Sequence, residues 1–478
     1  MPPSCSTWSC STSADAGDIV EIHALDVAGD GISTIGRRKI AVPFTIPGER
    51  VRVRLAPQAR RDGVVPAEVL DVLYASPHRV APGCRHFGPQ PPGREACGGC
   101  AWQHIAYPEQ LCLKTALVTR LVRTAVPRAP AALPMLAATP MHAPWGYRHK
   151  VHFVFGATSG RRPRLVMGHF ARGSRRVVEV AECPVHPAAG NERAFAFRDA
   201  CDAAGVEAAA ASRARNTRGV LKSLTVRVAR CTAERMMTVV VTRDADRALR
   251  GATRRALARI GPDTSLHVNL HPRADAFVFG RETRRIHGKE RLRDDVGGAS
   301  FLISPTTFFQ TNADAAELLV GLVRAAVPER VPVLDLYAGA GLFALPLALA
   351  GHDVVAVEEN AAAVADGEAS RALNRIPPGR CRFVASRVET ALARVAPYQT
   401  VVLDPPREGC SAAVRERLFA FLRPARLVYV SCHPETLARD LGEAAGQGYS
   451  VESLQPVDMF PHTPQVETVA ILRRTDRV

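Results

Sequence analysis

The sequence predicts a multidomain protein that combines a small N-terminal β-barrel, a central α+β domain and a C-terminal α/β domain. Three observations support this fold class. A chain of 478 residues is too long for one hydrophobic core. Short β-patterns separated by glycine turns fill residues 17–76, as in small barrels. From residue 301 onward, buried strands alternate with helices, as in parallel sheets. The predicted segments are a disordered tail (1–16), the barrel (17–78), the central domain (79–300) and the C-terminal domain (301–478).

The composition indicates a soluble protein that meets a polyanion. There are 62 Lys and Arg residues against 46 Asp and Glu, which gives a net charge of +16 and a pI near 9.8. Strongly basic soluble proteins most often bind RNA or DNA. No apolar run approaches the roughly 20 residues that cross a bilayer. The N-terminus lacks the basic start and apolar core of a signal peptide. We therefore expect a cytoplasmic protein with a nucleic-acid partner and no membrane contact.

The barrel prediction depends on four short β-patterns at residues 18–23, 39–44, 49–55 and 67–73. Such a spacing of short strands is typical of small barrels of the oligonucleotide-binding type. The turn Ile46-Pro-Gly-Glu-Arg-Val51 lies between two of them. Any small all-β module would show similar patterns, so the turn is the more specific signal.

Four of the twelve cysteines form a candidate metal site. Cys84 is followed by a Pro/Gly-rich insert (89–96) and then by Cys97-Gly-Gly-Cys100. The two glycines let both thiols face one centre, and Cys183 is the natural fourth ligand. Four thiolates suit either zinc or a [4Fe–4S] cluster. The spacing alone leaves both possibilities open.

The central region shows strand patterns at 147–155, 176–180, 236–242 and 266–270, with basic stretches such as 210–218 between them. This pattern favours a mixed α+β domain that is more antiparallel than parallel. Its basic residues either follow RNA phosphates or form a solvated face; they are Arg148, Lys150, Arg172, Arg175 and Arg176.

The C-terminal domain carries a nucleoside-binding pattern. The strand 332–337 leads into the turn Gly339-Ala-Gly341, and the next strand, 353–357, ends at Glu358. A glycine turn lets the ligand approach the backbone, and the carboxylate can accept from ribose hydroxyls. Because the third glycine of the dinucleotide motif is missing, a Rossmann-like pocket for S-adenosylmethionine is favoured over one for a dinucleotide.

Two later strands bring further chemistry to the same edge of the predicted sheet. The strand 400–403 ends at Asp404, and the strand 427–430 ends at Ser431-Cys432. Ligands bind at the carboxyl edge of parallel sheets. Cys432 alone would most simply be a buried apolar residue. Its position beside Gly339, Glu358 and Asp404 makes it a candidate nucleophile.

Together these motifs resemble the RNA uracil-5-methyltransferase family. The resemblance rests on Phe308-Phe-Gln310, Asp335-Leu-Tyr-Ala-Gly-Ala-Gly341, Asp404-Pro-Pro-Arg-Glu-Gly409, Tyr429-Val-Ser-Cys-His-Pro-Glu-Thr-Leu-Ala-Arg-Asp440 and a final segment from Asp458-Met-Phe-Pro to Val466-Glu467. With the barrel and the cysteine loop, it covers nearly all of residues 17–472. Residues 46–51 resemble a turn of the TRAM domain, an RNA-binding barrel.

The resemblance implies a class I methyltransferase with S-adenosyl-L-methionine as cofactor. It implies Cys432 as nucleophile and Glu467 as base. The implied cofactor contacts are Gln310, Tyr337, Glu358 and Asp404, beside Gly339 of the glycine turn. The cysteine loop resembles the iron–sulfur branch, which acts on 23S ribosomal RNA. It implies a [4Fe–4S] cluster held by Cys84, Cys97, Cys100 and Cys183.

This chain departs from the family pattern at three points. The insert lengthens the gap between Cys84 and Cys97, His433 stands where asparagine is common, and Gln465 stands where histidine is common. The first change puts the geometry of the cysteine loop in question.

The alternatives are a tRNA uracil-5-methyltransferase, an amino-methyltransferase, a radical S-adenosylmethionine enzyme and a non-catalytic RNA-binding protein. An amino-methyltransferase would carry an aromatic residue where Arg407 stands, and a radical enzyme would carry a C-x3-C-x2-C triplet. Intact Cys432, Asp404 and Glu467 argue against a non-catalytic protein. We expect a monomer without an obligate protein partner.

Overall fold

A computed structural model describes residues 17–90, 95–158, 163–209, 219–244, 247–273, 278–395 and 397–475. The predicted tail 1–16, the basic stretch 210–218 and part of the insert at 91–94 lie outside these residues. The chain divides into two compact units, one of Met1–Pro82 with Ala101–Ala106 and one of Gly83–Cys100 with Tyr107–Val478. None of the described helices is both long and apolar enough to cross a membrane.

The first unit is a six-stranded sheet with an apolar interior. Its strands are β1 (Asp18–Glu21), β2 (Ala24–Leu25), β3 (Gly31–Ile35), β4 (Arg38–Val42), β5 (Arg50–Leu55) and β6 (Val65–Tyr74), in the order β1-β5-β6-β4-β3-β2. Only two residues separate β1 from β2, so the two ends of the sheet come together as a barrel must.

A buried carboxylate fixes the turn before β5. Gly48 adopts φ +85°, and the Glu49 side chain accepts from the N–H of Ile46 (2.8 Å) and from Arg79 Nε (2.6 Å). Later in the chain, the Trp102 side chain is 1% exposed and donates to the carbonyl of Gly29 (3.0 Å). Residues 101–106, which the sequence assigned to the central domain, therefore complete the barrel unit.

The helices of the second unit are α1 (Tyr107–Ala125), α2 (Ala188–Asp202), α3 (Arg247–Ile260), α4 (Ala313–Ala326), α5 (Ala344–Leu349), α6 (Ala361–Leu373), α7 (Val388–Leu392), α8 (Ala412–Glu416) and α9 (Pro434–Gly446), with a π-helical turn at Arg417–Leu422. The first strand, β7 (Leu136–Ala137), lies between α1 and the central sheet in the sequence.

The central sheet has seven strands: β8 (Lys150–Ala157), β9 (Leu165–Phe170), β10 (Val177–Glu179), β11 (Leu221–Val228), β12 (Arg235–Val241), β13 (Thr264–Leu270) and β14 (Glu282–His287). Their order is β10-β9-β8-β11-β12-β13-β14. Only β12 and β13 run parallel, and the other neighbours are antiparallel. This confirms the prediction of a mainly antiparallel central sheet. The two-stranded sheet of β15 (Leu292–Val296) and β16 (Ala299–Ile303) follows it in the chain.

The C-terminal sheet has β7 and seven further strands: β17 (Val333–Leu336), β18 (Val354–Glu358), β19 (Cys381–Ala385), β20 (Thr400–Leu403), β21 (Arg426–Ser431), β22 (Tyr449–Asp458) and β23 (Glu467–Arg474). The order is β19-β18-β17-β20-β21-β23-β22-β7. Strands β17 to β21 are parallel, as predicted, and β23 is antiparallel to β21. Both faces are apolar because helices cover both sides.

Residues 107–137 lie against this C-terminal sheet, although the sequence assigned them to the central domain. Val118 and Val122 of α1 share a core with Leu334 and Leu427, and β7 pairs with the end of β22. Helix α1 has an apolar face that has to be buried, but its own sequence does not indicate which sheet it packs against.

Candidate active site and cysteine site

The glycine turn after β17 is held in a left-handed conformation. Tyr337, Gly339 and Gly341 have φ values of +61°, +56° and +88°. A non-glycine residue in this region costs on the order of 1–3 kcal/mol, and such strain is typical of ligand sites. The Glu358 carboxylate at the end of β18 accepts from the N–H of Gly339 (2.9 Å) and of Asn360 (2.8 Å). The Glu358 carboxylate therefore links the glycine turn to the end of β18 by hydrogen bonds.

The loop after β20 is pinned to helix α9. Thr436 Oγ1 donates to the carbonyl of Arg407 (3.0 Å), and the N–H of Cys410 donates to Asp440 Oδ2 (2.9 Å). Cys410, the rival thiol, is thus buried and bonded through its backbone. The loop that begins at Asp404 has a fixed path along the cavity.

Cys432 follows directly after β21. Burial, together with the nearby Glu467 and Asp404, raises the pKa of its thiol to about 12, and Arg407 opposes this rise. Its neighbour Ser431 accepts from the N–H of His433 (3.2 Å) and shapes the start of α9. The thiol needs a cation or a bound substrate to ionise at neutral pH.

Two carboxylates face this thiol. Glu467, at the start of β23, is 4% exposed. Burial raises its pKa well above the ordinary value, Asp404 adds to the rise, and Arg407 opposes it. Burial also raises the pKa of Asp404 to about 7. Acids with raised pKa values beside a thiol are a frequent sign of proton-transfer chemistry.

All seven predicted catalytic and cofactor residues line a single cavity of about 910 Å³: Gln310, Tyr337, Gly339, Glu358, Asp404, Cys432 and Glu467. The cavity also includes Arg407 and Gln465, which the sequence had singled out. The roles of these residues stay predictions. The structure adds that one space holds them together.

Sequence reasoning missed part of the wall, formed by Phe308, Asn360, Arg387, Glu389 and Phe460. Asn360, Arg387 and Glu389 lie just beyond the ends of β18 and β19, so strand-end position would have found them. Phe308 and Phe460 lie inside the quoted motifs, but no chemistry marked them.

A buried ion pair holds the segment between β22 and β23. Lys114 Nζ lies 2.6 Å from Asp458 Oδ1, and both side chains are fully buried. Tyr107 donates to the other oxygen of Asp458 (2.8 Å), and the N–H of His462 donates to Gln110 (2.8 Å). Helix α1 thus anchors the segment that leads to Glu467. The sequence did not reveal this anchor, since Lys114 and Asp458 lie 344 residues apart.

The cysteine-bearing loop is attached to the central sheet. Cys97 forms a β-bridge with Ala171, and the N–H of Gly98 donates to the carbonyl of Phe170 (2.9 Å). Asn191 fixes the fourth cysteine, because it accepts from the N–H of Cys183 and donates to its carbonyl, both at 3.0 Å.

The four predicted thiols influence one another. Burial, together with Cys100 and Cys97, raises the pKa of Cys183 to about 12. Burial and the Cys84 thiol raise the pKa of Cys97. Within the described residues, no three His, Cys, Asp or Glu side chains are arranged to hold an ion. The four thiols, none of which is in a disulfide, have the donor chemistry for a [4Fe–4S] cluster or zinc.

A linking segment, residues 145–149, lies between the cysteine site and the catalytic cavity. On one side, the N–H of Gly146 donates to the carbonyl of Pro184 (3.0 Å), next to Cys183. On the other, Tyr147 donates through its hydroxyl to the carbonyl of Pro461 (2.9 Å).

The linking segment also contacts a residue that lines the cavity. The N–H of His149 donates to the carbonyl of Thr311 (2.6 Å), and Thr311 follows Gln310. The ring of Trp145 stacks on His462 at 4.1 Å. The segment therefore touches both the cofactor side and the Glu467 side of the site.

The chain combines a small N-terminal barrel with a parallel sheet that carries a glycine turn and an acidic strand end. This combination defines a class of protein, the S-adenosylmethionine-dependent RNA methyltransferases. The chain belongs to the tRNA (uracil-5-)-methyltransferase family. Residues 233–475 match that family, and residues 18–77 match the TRAM domain of tRNA (uracil(54)-C(5))-methyltransferase. The chain is therefore an RNA (uracil-5-)-methyltransferase.

Similar proteins cover nearly the whole chain. An uncharacterized RNA methyltransferase of Thermosynechococcus vestitus is 34% identical over 95% of this chain and 97% of its own. One from Geobacter sulfurreducens is 34% identical over 96% of this chain and 91% of its own. Among solved structures, the tRNA (uracil-54, C5)-methyltransferase of Pyrococcus abyssi with S-adenosyl-L-homocysteine matches with a TM-score of 0.74 and 25% identity, over 95% of this chain and 99% of that one.

Proposed function

We propose that this enzyme methylates C5 of a uridine in RNA, most specifically in 23S ribosomal RNA, and produces 5-methyluridine. The observation that carries the proposal is that Cys432 and Glu467 share one cavity with the glycine turn and Glu358. A nucleophile and a base in the same space as a nucleoside pocket suit methyl transfer to a carbon atom.

Uracil C5 is a poor nucleophile, so the enzyme has to activate it. The Cys432 thiolate adds to C6 of the base, and the resulting enolate places negative charge on C5. S-adenosyl-L-methionine supplies the electrophilic methyl group, which C5 takes up. Glu467 then removes the proton from C5, and the electron pair of that bond re-forms the C5–C6 double bond as the thiolate leaves.

The electrostatics of the cavity support these roles. Burial and Asp404 raise the pKa of Glu467, so this carboxylate is a stronger base than an exposed one. Arg407 favours the charged form of Cys432. Since C5 is stacked in helical RNA, the target nucleotide has to be unpaired or flipped into the cavity.

The choice of 23S ribosomal RNA rests on the likeness of the cysteine loop to the iron–sulfur branch. A tRNA is the second candidate, because the matching P. abyssi structure is that of a tRNA (uracil-54, C5)-methyltransferase. The test is to incubate the enzyme with methyl-labelled cofactor and separated, unmodified ribosomal and transfer RNA, then to map the labelled nucleoside. Label only in tRNA contradicts the ribosomal target, and label outside uridine C5 contradicts the proposed reaction.

We further propose that Cys84, Cys97, Cys100 and Cys183 hold a [4Fe–4S] cluster with a role in folding and RNA placement. The support is four thiols outside any disulfide. Cys84 raises the pKa of Cys97, and Cys97 and Cys100 raise the pKa of Cys183, a repulsion between thiolates that a bound cationic centre removes. Iron and sulfide are to be quantified on anaerobically purified protein, with the Cys183→Ser variant as control. Stoichiometric zinc without iron would refute the cluster.

A further inference from the structure

The central sheet has two unlike faces. Helices α2 and α3 cover one face, where Val151, Phe153 and Val226 belong to the hydrophobic core. Because side chains alternate along a strand, Lys150 and Arg227 stand on the opposite face. Within the described part of the chain, α2 and α3 are the helices that contribute side chains to this core.

Two cations lie directly opposite each other on this face. Lys150 of β8 and Arg227 of β11 are register partners in the antiparallel ladder. Like charges in such a position are destabilising. Burial, together with the nearby Arg227 and Arg148, lowers the pKa of Lys150 to about 7. An anion beside these residues would remove this cost.

The two side chains differ in freedom. Arg227 is 5% exposed, and its guanidinium donates to the carbonyl of Thr307 (3.3 Å). Lys150 is half-buried, and its ammonium lies 5.7 Å from the centre of the Phe279 ring. Among the described residues, Lys150 has no side-chain hydrogen bond and no carboxylate partner. It is a positioned cation with donors to spare.

The pair adjoins the catalytic cavity. Thr307, which Arg227 holds, precedes Phe308, whose side chain lines the cavity and is 65% exposed. His149, the neighbour of Lys150, donates to the carbonyl of Thr311, another cavity residue. A ligand at Lys150 would therefore lie beside the segment that leads into the cavity.

We propose that Lys150 and Arg227 form a phosphate-binding subsite for the RNA strand next to the target nucleotide. Lys150 donates to a non-bridging oxygen of one phosphodiester, and Arg227 supplies a second, fixed positive charge behind it. The subsite rests on the proposed RNA substrate. It lies outside the predicted cofactor and catalytic residues, so it contributes to RNA affinity rather than to the chemical step.

The test is the salt dependence of RNA binding by the full-length Lys150→Met variant, which keeps the apolar stem and removes the charge. The probes are unmodified transcripts of 23S ribosomal RNA and of a tRNA, bound in the presence of S-adenosyl-L-homocysteine. Loss of one phosphate contact lowers the slope of log K against log salt by about 0.7–0.9. We expect this change together with weaker binding at low salt.

Matched variants separate a specific contact from a general charge effect. Lys289→Met removes a lysine that already pairs with Glu234, so its slope should not change. Lys150→Arg should restore the slope. An unchanged slope in Lys150→Met, or an equal loss in Lys289→Met, overturns the subsite. Binding is measured without turnover, so the two proposals can fail separately. If the proposed methylation is wrong, RNA binds with the expected salt slopes but uridine C5 is not methylated in the labelling assay.

Discussion

The catalytic cavity and the cysteine site are built in opposite ways. In the cavity, Glu358, Asp404 and Cys432 stand at the ends of parallel strands of one sheet, where sheet topology alone brings them together. At the cysteine site, the ligand candidates come from separate loops, and hydrogen bonds to Phe170 and Asn191 hold those loops. The first site follows from strand order. The second depends on individual contacts.

The largest effect is expected from Cys432→Ala, which tests the cavity directly. Removing the nucleophile should lower methylation by on the order of 10⁴-fold or more, while binding of S-adenosyl-L-homocysteine stays within about twofold because Glu358 and Gly339 are untouched. Turnover with labelled cofactor and calorimetric binding are the measurements. Cys112→Ala, at an exposed cysteine on α1, is the control. Full turnover in Cys432→Ala would rule out the nucleophile.

Glu467→Gln should stop the reaction one step later. The thiol can still add to the base, but the C5 proton has no acceptor, so turnover should fall by about 10²–10⁴-fold. We expect a covalent protein–RNA adduct that persists on denaturing gels. An adduct that forms and decays at the parental rate would show that another group takes the proton.

The reactivity of Cys432 should rise with pH without reaching a plateau. Burial raises the pKa of this thiol to about 12, so the thiolate fraction should grow about tenfold per pH unit up to pH 10. Alkylation by iodoacetamide, followed on the Cys432 peptide by mass spectrometry, measures it; free cysteine should level off near its pKa of about 8.5.

The Arg407→Gln variant tests, by the same alkylation measurement, whether Arg407 lowers the pKa of Cys432. Arg407 lowers the pKa of Cys432, so its removal should raise that pKa and slow alkylation by the same factor at every pH across this range. A plateau near pH 8.5 in the parent, or no difference in the variant, would contradict the electrostatic picture.

The smallest effect concerns the linking segment between the two sites. Tyr147→Phe removes only the hydroxyl that donates to Pro461, a hydrogen bond worth about 1 kcal/mol. We expect kcat to fall about fivefold and hydrogen exchange to rise in residues 459–465. Tyr449→Phe is the matched control, because its hydroxyl donates to the carbonyl of Pro424, away from the cavity. Equal losses of kcat in both variants would exclude a positioning role for Tyr147.

The elements that the sequence predicted well are those with strong periodicity. β5 was expected at 49–55 and lies at Arg50–Leu55, and β20 was expected and found at residues 400–403. Parallel strands are buried on both faces, so continuous apolar runs mark them. The cavity residues were predictable because each follows such a run.

The elements that escaped prediction depend on partners distant in the chain. β7 has two residues and pairs only with the end of β22, and nothing in its own sequence marks a strand. The same holds for Lys114, whose buried charge is balanced by Asp458. Residues 101–106 join the barrel through Trp102 and Gly29, a contact with no local signature.

The pairing of α1 with the C-terminal sheet has a consequence for synthesis. Lys114 leaves the ribosome 344 residues before Asp458, which is an interval of roughly 17–70 s at about 5–20 residues per second. The apolar face with Leu117, Val118 and Val122 has no cover until its core partners, beginning with Leu334, have been synthesised. Because β23 lies between β21 and β22 in the sheet, the C-terminal sheet is complete only when these last strands have been synthesised, and we expect the nascent chain to expose the face of α1 longer than a contiguous domain would.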